Sequence, residues 1–188
     1  MVNTSAADLR RIALEQFAQV GFAGASLGSI ADAAGLAKSS VLYHYSSKEA
    51  LLAAAVEPAI DRLAEVIDGY AGTGAAGEDF VERFVDFLLM HRLEVHVFIN
   101  QGQSLRAIPT IERANSLIQR LGDAVTDHIP TVADRIRFGI ALGGAAYVLV
   151  AAANWSSDPL DDLDEIRAAL ITSVTSLLAD VSAGAVAP

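Results

Sequence analysis

Apolar residues recur every three or four positions along almost the whole chain, which is the spacing of one face of an α-helix. In the second half, this periodicity predicts helices at about 93–101, 108–129, 131–155 and 160–182. Strand-like alternation of apolar and polar residues is missing from the sequence. We therefore expect an all-α protein.

The first fifty residues predict three short helices. Leu9, Phe17 and Val20 share one face of the first helix, and Gly21 follows where a C-terminal cap is expected. Ser26 is a suitable N-cap for a second helix that ends at Gly35, and a third helix begins near Lys38. Two short helices joined by a tight glycine turn are typical of a helix-turn-helix.

A longer fourth helix is expected at about 47–70. Ser46 and Glu49 match the capping-box pattern at its start, and Pro58 is expected to kink it. The glycine-rich stretch GYAGTGAAGED at 69–79 predicts a break before the remaining helices.

Charge is unevenly distributed between the start of the chain and the rest. The chain of 188 residues has a formal net charge of -10, but the four basic and four acidic side chains of residues 1–50 balance. An acidic surface repels nucleic acid, which needs local positive charge or neutral hydrogen-bond donors. Contact with DNA is therefore plausible only through the first fifty residues.

One long stretch carries a family resemblance. Residues of roughly 10–55, which include the stretch ALEQFAQVGFAGASLGSIADAAGLAKSSVLYHYSSKEALL, resemble the DNA-binding head of TetR/AcrR-family transcriptional regulators. The resemblance implies an N-terminal three-helix helix-turn-helix head, residues 1–46, and a C-terminal helical ligand-binding and dimerisation body, residues 47–188. Helix four connects the two.

The resemblance also implies roles for residues of the head, in accord with their hydrogen-bonding groups. It implies base contacts by Lys38, Ser39 and Leu42. It implies phosphate contacts by Ser26, Ser40, Tyr43, His44 and Lys48. Three positions depart from the usual pattern. Leu42 stands where the family usually has tyrosine, Ala37 where it often has a capping serine, and Gly28 has no side chain to reach DNA.

A ligand-responsive repressor follows from the same resemblance. The protein is expected to bind double-stranded palindromic operator DNA as a homodimer, joined through a four-helix bundle of about 131–155 and 160–182, and to be released by a small-molecule effector. Aromatic and polar side chains of the body are candidates for the effector pocket, although each could equally be ordinary core. They are Phe84, Phe87, His91, Phe98, Gln101, Tyr147, Asn154 and Trp155.

Other functions have weaker support in the sequence. The runner-up is a helical small-molecule-binding or interaction protein whose head no longer binds DNA. Nucleophile, phosphate-loop and dinucleotide motifs are missing, so we expect neither an enzyme nor a cofactor. His91 and His96 lie five residues apart, which does not place two metal ligands on one helical face.

The remaining expectations concern location. Phe138–Trp155 is uncharged and about long enough to span a bilayer, but its glycines and alanines favour close helix packing, so we expect no membrane partner. The chain has no cysteine and no pattern of a signal peptide, and a cytoplasmic location is expected.

Overall fold

A computed structural model describes residues 5–74, 76–155, 162–179 and 181. These residues form nine α-helices and no β-strand, which confirms the all-α prediction. The helices are α1 Ala6–Gly24, α2 Leu27–Ala33, α3 Lys38–His44, α4 Lys48–Thr73, α5 Glu78–Met90, α6 Arg92–Gln101, α7 Pro109–His128, α8 Val132–Trp155 and α9 Leu163–Leu178.

The helices divide into two compact units. The first comprises the chain up to Asp61 together with Leu93–Ala114, and the second comprises Arg62–Arg92 and the chain from Asn115 onward. The boundary expected between residues 46 and 47 stays a prediction.

In the first unit, α1 packs on α2 and α2 packs on α3. The core beneath them is apolar and includes Leu9, Phe17, Ile30, Val41, Leu51 and Leu52. Burying such side chains contributes about 1.5–3 kcal/mol each, which is enough to hold short helices that would be unstable alone.

Two glycines set the paths between the first three helices. Gly21 has a φ of 75° and interrupts the helical geometry of α1, and Gly35 has a φ of 65° in the turn between α2 and α3. Both conformations are strained for residues that carry a Cβ atom. The tight turn at Gly35 is therefore as the sequence predicted, whereas Gly21 breaks α1 internally and the helix ends three residues later, at Gly24.

The start of α4 differs from the prediction by one residue. Ser47, not Ser46, caps this helix, because its hydroxyl accepts a hydrogen bond from the Ala50 amide at 3.1 Å. The Ser46–Glu49 capping box was therefore wrong. The glycine-rich break is also shorter than predicted, since Gly69 and Gly72 lie inside α4, which continues past Pro58 to Thr73.

In the second unit, aromatic rings pack together and an ion pair joins α9 to α5. The Tyr70 ring of α4 lies 5.1 Å from the Phe80 ring of α5 and 5.2 Å from the Phe138 ring of α8. Arg167 of α9 donates two hydrogen bonds to Asp86 of α5, at 2.6 and 3.1 Å. These bonds hold the pKa of the Asp86 carboxyl below its usual value, since they favour its charged form.

We predict opposite effects of the same substitution at two glycines. A Cβ added at Gly35 would meet no heavy atom within 4 Å, so no steric clash is expected. Gly35→Ala should therefore lower the free energy of unfolding only by the cost of the left-handed backbone, about 1–2 kcal/mol. Gly122 lies within α7 and is equally open, so Gly122→Ala should stabilise the protein by about 0.5–1 kcal/mol. Urea unfolding measures both, and a Gly35→Ala variant as stable as wild type would contradict this account of the turn.

Candidate nucleic-acid interface

Helix α3 is anchored by one residue and presents the others to solvent. Val41 is fully buried, whereas every other residue from Lys38 to His44 is exposed. The Tyr43 side chain is 86% exposed, and its ring meets the edge of the His44 imidazole at 5.3 Å. An aromatic residue so open to solvent contributes little to the core, so its place in the sequence needs another explanation.

The exposed face of α3 brings together six of the eight residues predicted to contact DNA. Each of the six is a residue of α3 itself, and all are exposed: Lys38, Ser39, Ser40, Leu42, Tyr43 and His44. Together they offer an ammonium, three hydroxyls, an imidazole and one apolar side chain. Such groups can bond phosphate oxygens and base edges without a large net charge.

Ser26 lies at the start of α2 and acts as its cap, as predicted. Its hydroxyl accepts a hydrogen bond from the Ser29 amide at 3.0 Å, and the Ser29 hydroxyl accepts one from the Ser26 amide at 3.0 Å. The side chain is exposed, and its contact with phosphate stays a prediction. Ala37 occupies the N-cap position of α3, where its methyl group supplies no oxygen for a cap.

Lys48 has a structural role that the sequence did not indicate. Its ammonium donates hydrogen bonds to the backbone carbonyls of Phe22, at 2.5 Å, and Ala25, at 2.8 Å, and lies 4.2 Å from the centre of the Phe22 ring. These bonds connect the start of α4 to the end of α1. An ammonium has three N–H donors, so one donor beyond these two bonds is left for the predicted phosphate contact.

Gln101, at the end of α6, binds the backbone of α1 with both atoms of its amide. The Phe22 N–H donates to Gln101 Oε1 at 2.6 Å, and Gln101 Nε2 donates to the Phe17 carbonyl at 2.9 Å. We call Phe22 with its two side-chain partners, Lys48 and Gln101, the Phe22 corner. Sequence reasoning missed it, because the partners lie 26 and 79 residues from Phe22.

The residues predicted for the effector pocket fall in both units. Phe84 and Phe87 are buried in the second unit, where the Phe87 ring lies 5.5 Å from the His91 ring. Tyr147 is about half exposed there, while Phe98 and Gln101 belong to the first unit. The side chains of Asn154 and Trp155 lie outside the described residues. An effector-binding role for any of the eight stays a prediction.

Metal ligands and membrane-spanning helices are two further features that a helical protein can carry. Within the part of the chain that the structure describes, no group of three or more histidine, cysteine, aspartate or glutamate side chains is placed to hold a metal ion. None of the helices formed by those residues combines the length and the apolar character needed to cross a bilayer.

The helices that surround the exposed face of α3 match a known protein family. Residues 9–55 match the family model described as bacterial regulatory proteins, tetR family. The head therefore has the sequence pattern of that family's DNA-binding domain. This match covers α1 to α3 and the start of α4, and confirms the resemblance inferred from the sequence.

Solved structures extend the likeness from the head to the body of the chain. Ketosteroid transcriptional regulator KstR2 of Mycobacterium tuberculosis is 17% identical, with 94% of this chain and 96% of that chain covered and a TM-score of 0.67. A TetR-family regulator from Bordetella parapertussis is 20% identical, with 95% of each chain covered and a TM-score of 0.67. Fatty acid degradation regulator FadR from Bacillus halodurans is 16% identical, with 97% and 100% covered and a TM-score of 0.61.

These likenesses show that the chain has the fold of a TetR-family transcriptional regulator, with a helix-turn-helix head and a helical body. No curated protein matches the chain in sequence.

The two lysines of the head should differ in their effect on stability. Lys48→Met leaves two carbonyls of α1 without their donor, which should lower the free energy of unfolding by about 1–3 kcal/mol. Lys38→Met, at an exposed position of α3, should change it by less than about 0.5 kcal/mol. Urea unfolding followed by circular dichroism compares them, and equal stability of the two variants would count against the role assigned to Lys48.

Proposed function

We propose that the protein is a DNA-binding transcriptional regulator, specifically a repressor that binds a palindromic operator as a homodimer and is released by a small-molecule effector. The single observation that carries DNA binding is the solvent-exposed polar face of α3, in a head of the TetR family. The protein then acts by occupying DNA, without catalysis, and works in the cytoplasm.

Neutral donors let an acidic protein bind an acidic polymer. The seven residues of α3 contain no aspartate or glutamate, although the chain as a whole has a net charge of -10. Hydroxyl groups on Ser40 and Tyr43 and the His44 imidazole can donate to phosphate oxygens, while Lys38 adds one positive charge. These contacts fix the position of the head on the duplex.

Base recognition is assigned to the N-terminal part of α3, which is the part of a recognition helix that reaches the major groove. Lys38 suits the acceptors of guanine, and Ser39 can either donate or accept. Leu42 is exposed and has only an apolar surface to offer, so it favours a thymine methyl at the base it faces.

Dimer formation is supported by an apolar stripe on α8. The large side chains of Val132, Ile136, Ile140 and Tyr147 are exposed at spacings that place them on one helical face. A Cβ added at Gly139, Gly143 or Gly144 would meet no heavy atom within 4 Å, so a second helix can approach closely there. Leu163 and Leu177 of α9 are exposed as well.

The proposed partner for this apolar surface is a second copy of the chain. Removing apolar area from water contributes about 25 cal/mol for each Å². A two-fold symmetric dimer suits a palindromic operator, whose two half-sites lie one turn of DNA, about 34 Å, apart.

The proposed effector is a hydrophobic molecule that enters the body. Phe84 and Phe87 provide buried aromatic surface in the second unit, and two of the similar structures are named for ketosteroid regulation and for fatty acid degradation. Release requires that the effector bind more tightly to a conformer that does not fit the operator, because a ligand shifts an equilibrium only by its differential affinity.

We expect binding to duplex DNA to weaken as salt rises, and to depend on the Tyr43 hydroxyl but not on the Tyr45 hydroxyl. Tyr43→Phe removes one hydroxyl donor to phosphate and should weaken binding about fivefold, the equivalent of about 1 kcal/mol. Tyr45→Phe, two residues away at a half-buried position, is the matched control and should change affinity less than about twofold.

The assay is fluorescence anisotropy with a duplex selected from a random pool by the wild-type protein, and with DNA from upstream of its own reading frame. If the wild-type protein binds neither duplex, the result favours the alternative function, a helical small-molecule-binding or interaction protein whose head does not bind DNA. Affinity that does not fall as salt rises would also contradict phosphate contacts by Lys38 and Lys48.

The dimer proposal predicts that a charge at Ile140 disrupts the dimer and that a charge at Ile118 does not. Ile140 is 58% exposed in the α8 stripe, and Ile140→Glu should convert the dimer into a monomer because the interface would bury an unpaired carboxylate. Ile118 of α7 is 45% exposed outside the stripe, and Ile118→Glu should leave the dimer intact. Sedimentation velocity measures both, and a dimeric Ile140→Glu variant would contradict the proposed interface.

A further inference from the structure

The break in α1 creates two backbone groups that need partners from elsewhere. Gly21 leaves the helical conformation with a φ of 75° and a ψ of 159°, and the next residue is Phe22. Its N–H and C=O are partly buried and lie where the ladder of α1 is interrupted. Buried backbone groups without partners are costly, so such a break persists only where other groups pair them.

Both groups are paired by side chains from other helices. Gln101 of α6 accepts from the Phe22 N–H at 2.6 Å, and Lys48 of α4 donates to the Phe22 carbonyl at 2.5 Å. Gln101 also donates to the Phe17 carbonyl at 2.9 Å, on the other side of Gly21. The amide of Gln101 therefore bridges the break, with one bond before it and one after it.

The segment that follows the break leads directly into the helix-turn-helix. Lys48 also holds the carbonyl of Ala25, and Ser26 next to it caps α2. Helix α2 packs on α3, so the path of the chain from Phe22 to Ala25 determines where the exposed face of α3 lies. A residue that fixes this path influences DNA contacts that it does not itself make.

We propose that Gln101 is a positioning residue for DNA binding, which holds the Phe22 corner and through it the helix-turn-helix in the conformation that fits a duplex. This inference rests on the proposed DNA-binding function. It assigns Gln101 to the control of the head and makes the end of α6 part of the DNA-binding apparatus, although α6 lies outside the residues matched by the family model.

The chain offers a matched pair of variants for the test. Gln101→Met keeps the length of the side chain and removes both hydrogen bonds to α1. Asn100→Met alters the neighbouring residue, whose amide is exposed and donates to the His96 carbonyl of its own helix at 3.0 Å. If circular dichroism shows that Gln101→Met is unfolded, Gln101→Glu takes its place, since a carboxylate keeps the acceptor for Phe22 and loses the donor to Phe17.

The first measurement is amide hydrogen exchange on the full chain without DNA. Gln101→Met should lose protection at the Phe22 amide by about tenfold or more and speed exchange in α2 and α3, while α9 stays as in wild type. Asn100→Met should match wild type throughout. Unchanged exchange from Phe22 to His44 in Gln101→Met would overturn the proposal, whether or not the protein binds DNA.

The second measurement is affinity for the selected duplex over a series of salt concentrations. Gln101→Met should bind about tenfold more weakly, and the slope of log affinity against log salt should fall by about 0.9 for each phosphate that Lys38 or Lys48 no longer neutralises. A variant that is merely less stable would bind less in proportion to its folded fraction, with the wild-type slope. Wild-type affinity and slope in Gln101→Met would overturn the proposal.

The two measurements separate failure of this inference from failure of the proposed function. A wild-type protein that binds no duplex removes the DNA-binding function and the DNA-positioning role with it, whereas the exchange result still reports on the Phe22 corner. A wild-type protein that binds DNA, with variants that bind equally well, removes only the role of Gln101.

Discussion

Helix α1 loses its helical geometry at Gly21, and the pairing of the backbone beyond this break connects distant parts of the chain. The Phe22 amide and carbonyl are held by Gln101 and Lys48, so α1, α4 and α6 meet at one residue. The Phe22 ring adds packing against the Phe17 ring at 5.4 Å and lies against the Lys48 ammonium. Because α2 begins shortly after Phe22, this pairing defines the position of the helices that are proposed to meet DNA.

An acidic protein that is proposed to bind DNA must approach it through a restricted surface. The balanced charge of the first fifty residues adds no repulsion to that of the rest of the chain, and α3 supplies donors without acidic neighbours in its own sequence. One of the two lysines of the chain binds carbonyls inside the head, so hydroxyl and imidazole groups are left with most of the phosphate contacts. We infer a recognition surface that depends more on hydrogen-bond geometry than on charge, and hence on how firmly α3 is held.

Local patterns predicted most of the helices and the exposed face of α3. Apolar spacing placed α6, α7 and α8 within about a residue of their observed ends, and the glycines at 21 and 35 marked real changes of backbone direction. Boundaries set by competing signals were less predictable. Ser46 and Ser47 are both suitable caps, and the glycines at 69 and 72 remain within α4 because tertiary packing outweighs their weak helix propensity. The role of Gln101 had no local signal, since it depends on a contact between residues 79 positions apart.

The most direct test of this account is amide chemical-shift mapping of the full chain as the selected duplex is added. The account predicts changes from Ser26 to Lys48, largest on the exposed face of α3, with smaller changes at Phe22 and Gln101 because the corner holds the helices that bind. Shifts confined to the helices of the second unit, or none at a concentration of duplex that saturates binding, would contradict it.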